Sequence, residues 1–137
     1  MTYQAHRKIQ SALPGSFAVV ILLVLFVACG PADAPRVTTD IPSGDRERGR
    51  VMFAEYGCSS CHSIPGVTGA RGLVGPPLDA WADRGYIAGR LPNTPENLIR
   101  WIMSPQEVDP GNAMPDMGVP EVVARDMAAY LYGLHSD

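Results

Sequence analysis

The residues of this chain that are best suited to chemistry form one pentapeptide, Cys58-Ser59-Ser60-Cys61-His62. A Cys-x-x-Cys-His sequence is the attachment motif of a c-type haem. The thiols of Cys58 and Cys61 can add to the two vinyl groups of a haem, and their spacing places both sulfur atoms on one side of a single helical turn. His62 follows directly and is predicted to bind the iron as the proximal ligand. The motif therefore predicts one covalently bound haem c.

Two other interpretations of the paired cysteines are weaker. A Cys-x-x-Cys pair can be a thiol–disulfide redox centre or half of a zinc site. Outside the pentapeptide, however, the only further histidine and cysteine residues are His6, Cys29 and His135, which all lie near the chain ends. A redox pair of the thioredoxin type is expected within a βαβ pattern, and no such pattern is visible. Haem attachment is therefore the favoured interpretation.

The second ligand of the iron is predicted to be a methionine. His135 lies at the end of the last predicted helix, which is a poor place from which to reach the iron. Met114 lies in a segment rich in proline and glycine (DPGNAMP) that can wrap the far face of a haem. Thioether sulfur is a soft ligand that favours ferrous iron. Met117 is the rival, and spacing alone does not exclude it.

The N-terminal residues predict export and attachment to a membrane. A basic group at residues 6–8 precedes an unbroken apolar run at residues 17–28, and Cys29 follows this run directly. This pattern is typical of a secretory signal, and the run is shorter than the roughly 20 residues of a membrane span. The sequence FVAC resembles a bacterial lipobox, so Cys29 is predicted to carry a lipid. An uncleaved anchor and a soluble secreted protein are the alternatives. We expect the protein to be exported and anchored at the periplasmic or extracytoplasmic face of a bacterial membrane.

The remaining chain is predicted to be one small domain on a tether. Residues 1–29 form the signal with its candidate lipobox. Residues 30–42 hold three prolines and few apolar residues, which is typical of a flexible linker. Residues 43–137 leave room for one domain only. A core of this size is marginal by itself, and a covalently held haem would add apolar surface to it.

Helix signals dominate this domain. A first helix is predicted over residues 45–56, with Ser43 or Asp45 as the N-cap. A second begins at Pro95, is capped by Thr94 and ends near residue 104. A third begins at Pro120 and carries apolar residues at helical spacing. Residues 63–80 and 105–118 are predicted as loops, and no segment alternates as a strand. The predicted fold class is all-α.

The charge of the chain excludes some classes of partner. Without Arg7 and Lys8, the sequence carries 9 arginines, no lysine and 14 acidic residues. A basic patch of the kind that binds nucleic acid is therefore absent. The acidic balance also argues against docking through a broad positive face.

Over about residues 44–134 the chain resembles the class I c-type cytochromes. The residues that carry the resemblance follow the order of that family's motifs: Gly49, Phe53, Cys58, Cys61, His62, Gly75-Pro76-Pro77-Leu78, Arg84, Pro110-Gly111-Asn112-Ala113-Met114 and Tyr130. The resemblance implies a small cytochrome c fold of helices and loops around one haem. It also implies a contact between the first and last helices through the glycine and the two aromatic residues.

The resemblance also implies roles for individual residues. The carbonyl of Pro76 is expected to accept a hydrogen bond from the imidazole N–H of His62. Arg84 matches an arginine near a haem propionate, and the Pro-Gly-x-x-Met loop favours Met114 as the iron ligand. Trp101 matches an aromatic residue near the methionine sulfur. Its indole N–H is expected either to bond that sulfur or only to pack against it.

Within this class, the chain is most similar to the cytochrome c domain of caa-type cytochrome c oxidase subunit II. The similarity lies in the stretches IAG, LPNTPENL and WI between residues 87 and 102. With both axial positions of the iron filled, the site suits electron transfer rather than an enzymatic reaction at the metal. We therefore expect a non-enzymatic, membrane-tethered monohaem cytochrome c. It would carry single electrons in a respiratory chain, from a quinol-oxidising complex to a terminal oxidase.

Two alternative functions remain open at this point. The chain can be the dedicated electron acceptor of a periplasmic dehydrogenase. It can also be a haem-based sensor in which the methionine ligand is displaced by a small molecule. In the first alternative the iron keeps both protein ligands, whereas in the second it binds carbon monoxide.

Overall fold

A computed structural model describes residues 41–137 of the chain. The described elements, in chain order, are helix α1 (Arg46–Glu55), a 3-10 turn (Cys58–Ser60), a second 3-10 turn (Trp81–Asp83), strands β1 (Tyr86–Ile87) and β2 (Leu91–Pro92), and helices α2 (Pro95–Met103), α3 (Pro105–Val108) and α4 (Glu121–Leu131). The predicted signal, the predicted lipidation site Cys29 and most of the predicted linker lie outside the described residues.

Two of the three long helices, α1 and α2, begin at capping residues that the sequence predicts. The side chain of Asp45 accepts a hydrogen bond from the backbone N–H of Arg48 at 2.9 Å, which caps α1. The hydroxyl of Thr94 accepts one from the N–H of Asn97 at 3.3 Å, and Pro95 follows as the first residue of α2. These contacts satisfy backbone donors that the first helical turn leaves without a partner. The three predicted long helices are confirmed.

Helices α1 and α4 cross at very close range. A Cβ atom placed on Gly49 would lie 2.0 Å from the carbonyl oxygen of Asp126. Only a glycine therefore allows the two backbones to meet here. One turn further along, the rings of Phe53 and Tyr130 lie with centroids 5.9 Å apart and planes tilted by 55°. Both aromatic side chains are buried, so this crossing forms one end of the core.

The all-α prediction is wrong, because β1 and β2 form a small antiparallel sheet. Tyr86 pairs with Pro92 and Ile87 pairs with Leu91. The connecting turn has left-handed backbone at positions 88 and 89, with φ of 50° and 68°. Strands of two residues are too short to show the alternation from which a strand is predicted. The fold is thus mainly helical with one hairpin.

A buried asparagine joins the hairpin, the second 3-10 turn and the end of α4. The side-chain amide of Asn93 donates hydrogen bonds to the carbonyl oxygens of Trp81 at 3.0 Å and Arg84 at 2.9 Å. Its oxygen accepts a bond from the hydroxyl of Tyr132 at 2.9 Å. Burial raises the pKa of Tyr132, so this hydroxyl is a donor at neutral pH. The turn at residues 81–83 is therefore fixed against the helical core.

The core lies between α1, α2 and α4. Its largest fully buried side chains are contributed by several elements and include Ile87, Leu98, Met127 and Leu131. Among the helices of residues 41–137, none combines the length and the apolar character needed to span a bilayer.

Candidate functional site

A cavity of about 570 Å³ opens between the pentapeptide and the methionine-bearing loop. Cys58, Cys61 and His62 lie on its wall, together with Met114 and Met117. Buried apolar side chains complete the lining: Phe53, Leu78, Leu98, Ile102, Met127 and Leu131. This volume lies within the range of roughly 300–1,000 Å³ that is usual for ligand and cofactor pockets. The structure thus brings the two predicted thiols, the predicted proximal ligand and both candidate methionines to one cavity.

The thiols are presented by a tight helical turn. Gly57, with a φ of 71°, ends the preceding helix and caps this turn. The carbonyl oxygen of Cys58 then accepts hydrogen bonds from the N–H groups of Cys61 at 3.2 Å and His62 at 2.9 Å. Both cysteines are half-buried and neither forms a disulfide. The turn therefore places two free thiols and an imidazole on the wall of the same cavity.

The surroundings of the thiols disfavour the two other interpretations. Burial raises the pKa of Cys58, whereas the reactive thiol of a redox pair has a lowered pKa. Within residues 41–137, no group of three or more acidic, histidine or cysteine side chains is arranged to hold a metal ion. His135 instead lies 3.4 Å from Asp83 at the surface. Neither a thioredoxin-like centre nor a zinc site is supported.

The imidazole of His62 is held in one orientation. Its Nδ1 atom lies 2.7 Å from the carbonyl oxygen of Pro76. Because a carbonyl oxygen only accepts, Nδ1 carries the hydrogen and Nε2 keeps a free lone pair. A Cβ atom on Gly75 would lie 2.3 Å from Cε1 of the same ring, so the ring packs directly on the glycine backbone. His62 can therefore act as a ligand through Nε2.

Arg84 lines the cavity and is braced by the loop before it. Its Nη2 donates hydrogen bonds to the carbonyl oxygens of Pro77 at 2.6 Å and Asp79 at 2.8 Å. Its guanidinium carbon lies 4.9 Å from the centre of the Trp81 ring, within the range of a cation–π contact. These contacts place a fixed positive charge on the cavity wall.

Trp81 was not identified from the sequence, although it lies on the same wall. The residue is 5% exposed, and its indole Nε1 has no hydrogen-bond partner in residues 41–137. Its position three residues before Arg84 is the one sequence feature from which it could have been identified. A buried donor without a partner costs about 1–3 kcal/mol. Because Trp81 lines the cavity, a bound group that brings an acceptor to the indole would satisfy this donor.

The donor set of the cavity fits a haem. The thiols can form thioether bonds, Nε2 of His62 can bind iron, and the apolar lining suits the flat faces of a porphyrin. A haem propionate would accept a hydrogen bond from the indole N–H of Trp81 and would lie near the positive charge of Arg84. No feature of the lining described here opposes the group.

The loop that carries Met114 is closed by side-chain hydrogen bonds. The oxygen of the Asn112 side chain accepts a bond from the N–H of Met114 at 2.7 Å. The amide nitrogen of Asn112 donates to the carbonyl oxygens of Pro105 at 3.0 Å and Asp109 at 2.6 Å. Gln106 makes further bonds to the same loop, including one to the carbonyl oxygen of Met114 at 2.7 Å. The backbone of Met114 is thus fixed at both its N–H and its carbonyl.

The structure places Met117 and Trp101 at the same cavity. Met117 is 41% exposed, whereas Met114 and Trp101 are half-buried. Trp101 lies on α2 and contributes to the wall between the buried residues Leu98 and Ile102. The interaction between the indole N–H of Trp101 and the sulfur of Met114 remains a prediction.

Three known proteins are similar to this chain, and each is named cytochrome c oxidase subunit 2. The protein of Alkalihalophilus pseudofirmus is 38% identical over 89 residues, which cover 65% of this chain and 25% of that protein. Those of Bacillus sp. strain PS3 and Bacillus subtilis are 34% and 31% identical over 70 residues, which cover 50% of this chain and 19% and 20% of the relatives. No family model and no solved structure matches the chain.

The relatives relate part of this chain to cytochrome c oxidase subunit 2. The matched segment spans no more than a quarter of each relative's length. Because the relatives are named as subunits of an oxidase, the expectation of a non-enzymatic protein is wrong. The similarity connects the chain with a subunit of an oxidoreductase complex.

Proposed function

We propose that residues 41–137 form a monohaem c-type cytochrome domain that transfers single electrons in partnership with a terminal oxidase. One observation carries this proposal: Cys58, Cys61, His62 and Met114 line a single cavity with a mainly apolar wall. The relatives, which are named as subunits of cytochrome c oxidase, support the connection with an oxidase.

Each residue of the site has a defined part in this function. Cys58 and Cys61 would hold the haem c through thioether bonds, while Nε2 of His62 and the sulfur of Met114 would bind the iron. A haem held in this way supplies one-electron chemistry, with ferric and ferrous states. With His62 and Met114 both bound to the iron, water and small molecules would be kept from the metal. The site would then suit electron transfer rather than a reaction at the metal.

The surrounding residues orient these ligands. The carbonyl of Pro76 fixes the hydrogen of His62 on Nδ1, which sets the tautomer and the plane of the ring. Trp81 and Arg84 provide a hydrogen-bond donor and a positive charge for the propionates. Trp101, which lines the same cavity as Met114, would help to keep water away from the sulfur.

The proposed partners are redox proteins of a respiratory chain. A terminal oxidase accepts the electrons, in line with the names of the relatives. A quinol-oxidising complex or a dehydrogenase supplies them.

Covalent haem attachment is the direct test of the site. The full chain is produced in a host that attaches haem to c-type cytochromes, and the protein is examined by mass spectrometry and by haem staining after denaturing electrophoresis. We expect a mass increase of one haem and a stained band. Replacing either cysteine, in Cys58→Ala or Cys61→Ala, should remove one thioether bond. Ser59→Ala, inside the same pentapeptide, should bind haem normally. A wild-type protein without covalent haem would contradict the proposal.

We further propose that Cys29 carries a lipid that anchors the chain to the extracytoplasmic side of a membrane. This proposal rests on the residue pattern before Cys29 alone. Labelled fatty acid should enter the wild-type protein, whereas Cys29→Ser should stay unlabelled and either leave the membrane or keep its signal. A wild-type protein that is unlabelled but still membrane-bound would support an uncleaved anchor instead.

A further inference from the structure

The loop that carries Met114 is tied to helix α3 by a side chain that the cytochrome motifs do not include. The side-chain nitrogen of Gln106 donates hydrogen bonds to the carbonyl oxygen of Met114 at 2.7 Å and to that of Asn112 at 3.0 Å. Its side-chain oxygen accepts a bond from the N–H of Gly111 at 3.1 Å. One planar amide thus bonds three points of a short loop.

These bonds use both hydrogens and the oxygen of the Gln106 amide. A primary amide has two donor hydrogens and an acceptor oxygen. Each donor of Gln106 meets a different backbone carbonyl, and the oxygen meets a backbone N–H. The loop also contains Gly111 in a left-handed conformation, with a φ of 81°. A side chain that bonds this glycine and two residues after it fixes the direction in which the loop turns.

Gln106 is itself firmly placed relative to the cavity. It is half-buried and follows Pro105, which is buried. Helix α3 continues directly from α2, since Ser104 ends α2 and precedes α3. Three α2 residues, Leu98, Trp101 and Ile102, line the cavity. Gln106 therefore connects the Met114 loop to a helix that contributes to the cavity wall.

We propose that Gln106 is a positioning residue that keeps the sulfur of Met114 on the haem iron. This role rests on the proposed function, because it requires Met114 to be the axial ligand. The bond between a thioether and iron is weak. The rate at which the Met114 sulfur leaves the iron therefore depends on how firmly the loop backbone is held. With Gln106 in place the loop cannot swing away without breaking three hydrogen bonds. Without Gln106 the loop opens more often, and the sixth position of the iron becomes free for external ligands.

The test compares three variants of the complete haem-loaded protein. Gln106→Leu removes all three bonds at similar volume. Gln106→Glu keeps the length and an acceptor for Gly111 but faces two carbonyl oxygens without a donor. Glu107→Gln, at the exposed neighbouring position, is the matched control. The rate of carbon monoxide binding to the reduced protein reports how often the methionine leaves. The sulfur-to-iron absorption band of the oxidised protein reports that it is bound.

We expect both Gln106 variants to bind carbon monoxide about tenfold faster than the wild type, which corresponds to about 1.4 kcal/mol. The control should match the wild type. A merely structural role would lower the thermal midpoint of unfolding without changing this rate. If Gln106→Leu does not fold, the more conservative Gln106→Glu carries the comparison.

The outcomes separate this role from the proposed function. A wild-type protein without the sulfur-to-iron band would overturn the ligand set and this role together. A wild-type protein with the band, in which the Gln106 variants that fold bind carbon monoxide at the rate of Glu107→Gln, would overturn the role of Gln106 alone. The proposed electron-transfer function would then stand.

Discussion

At the scale of single residues, the two methionines at the cavity have unequal support. The backbone of Met114 is bonded at its N–H and at its carbonyl. Met117 is 41% exposed and lies beyond the Pro-Gly-x-x-Met sequence. A ligand must return to the same place in both oxidation states, which requires a fixed backbone. These contacts favour Met114 as the ligand.

Replacing each methionine tests this assignment. Met114→Ala should remove the sulfur-to-iron band and give a reduced protein that binds carbon monoxide readily. Met117→Ala should keep the wild-type spectrum, since its side chain is 41% exposed and is not predicted to bind the iron. Both variants retain the other methionine and serve as mutual controls. The reverse pattern in the absorption spectra would show that Met117 is the ligand.

Trp81 gives a second prediction at this scale. Trp81→Phe keeps most of the buried apolar surface but removes the indole N–H. Without this donor, the negative charge of a propionate acts more strongly on the iron and favours the ferric state. The reduction potential should therefore fall by tens of millivolts, since a tenfold change in a one-electron equilibrium is about 59 mV. Redox titration of both proteins measures the shift. An unchanged potential would mean that the indole N–H does not meet a propionate.

At the scale of elements, one buried carboxylate joins the first and last helices. Asp126 on α4 is fully buried and accepts hydrogen bonds from the N–H of Asp45 at 2.8 Å and from Nη2 of Arg48 at 2.7 Å. Burial by itself would raise the pKa of Asp126. The bonds from Arg48 and the backbone outweigh burial, so the pKa lies below its ordinary value of 3.8.

Asp126→Asn should destabilise the domain by about 2 kcal/mol, because it removes a charge-assisted bond and places an amide against a guanidinium. The lowered pKa means that this stabilisation is complete above the ordinary pKa of the carboxyl group. It is lost as the pH falls through the folded-state pKa. The difference between the two proteins should therefore shrink below about pH 4. Chemical unfolding followed by circular dichroism measures both effects.

A surface pair provides the control for this variant. Glu121 and Arg125 form an exposed contact of 2.6 Å on the same helix. Glu121→Gln should change the stability by less than about 0.5 kcal/mol, because such pairs are well solvated. Equal losses in Asp126→Asn and Glu121→Gln would argue that the contact between α1 and α4 contributes no more than a surface pair.

Local signals explain why some elements were predictable and others were not. Helices α1 and α2 were found because Asp45, Thr94 and Pro95 act within one turn of the chain. The hairpin was missed because its strands have two residues each and its turn depends on backbone angles at Ala88 and Gly89.

Helix α3, which carries Gln106, was assigned to a loop because it is only four residues long. At the site, the Cys-x-x-Cys-His motif predicted that Cys58 and His62 lie on one helical turn. The importance of Trp81 depends on contacts between distant parts of the chain, which spacing does not show.

At the scale of the whole molecule, charge sets how the chain meets a partner. After Lys8 the sequence has no lysine and more acidic than basic residues. Broad cationic steering should therefore be weak, and the rate of electron transfer to a purified terminal oxidase should depend only shallowly on salt. Screening acts over about 10 Å at 0.1 M salt, so steering by opposed charges would be largely lost there. Stopped-flow oxidation of the haem-loaded domain across ionic strength measures this. A fall in rate of several tens-fold at moderate salt would contradict the prediction.

The crossing of α1 and α4 also determines when the domain can complete its folding during synthesis. Arg48 and Asp126 are 78 residues apart in sequence, and the contact between their helices buries Phe53. A nascent chain that has not yet released α4 cannot complete this contact, so its core stays open. Cys58 and Cys61 leave the ribosome long before that moment. The thiols therefore remain reachable until the last helix packs against α1 and closes the domain.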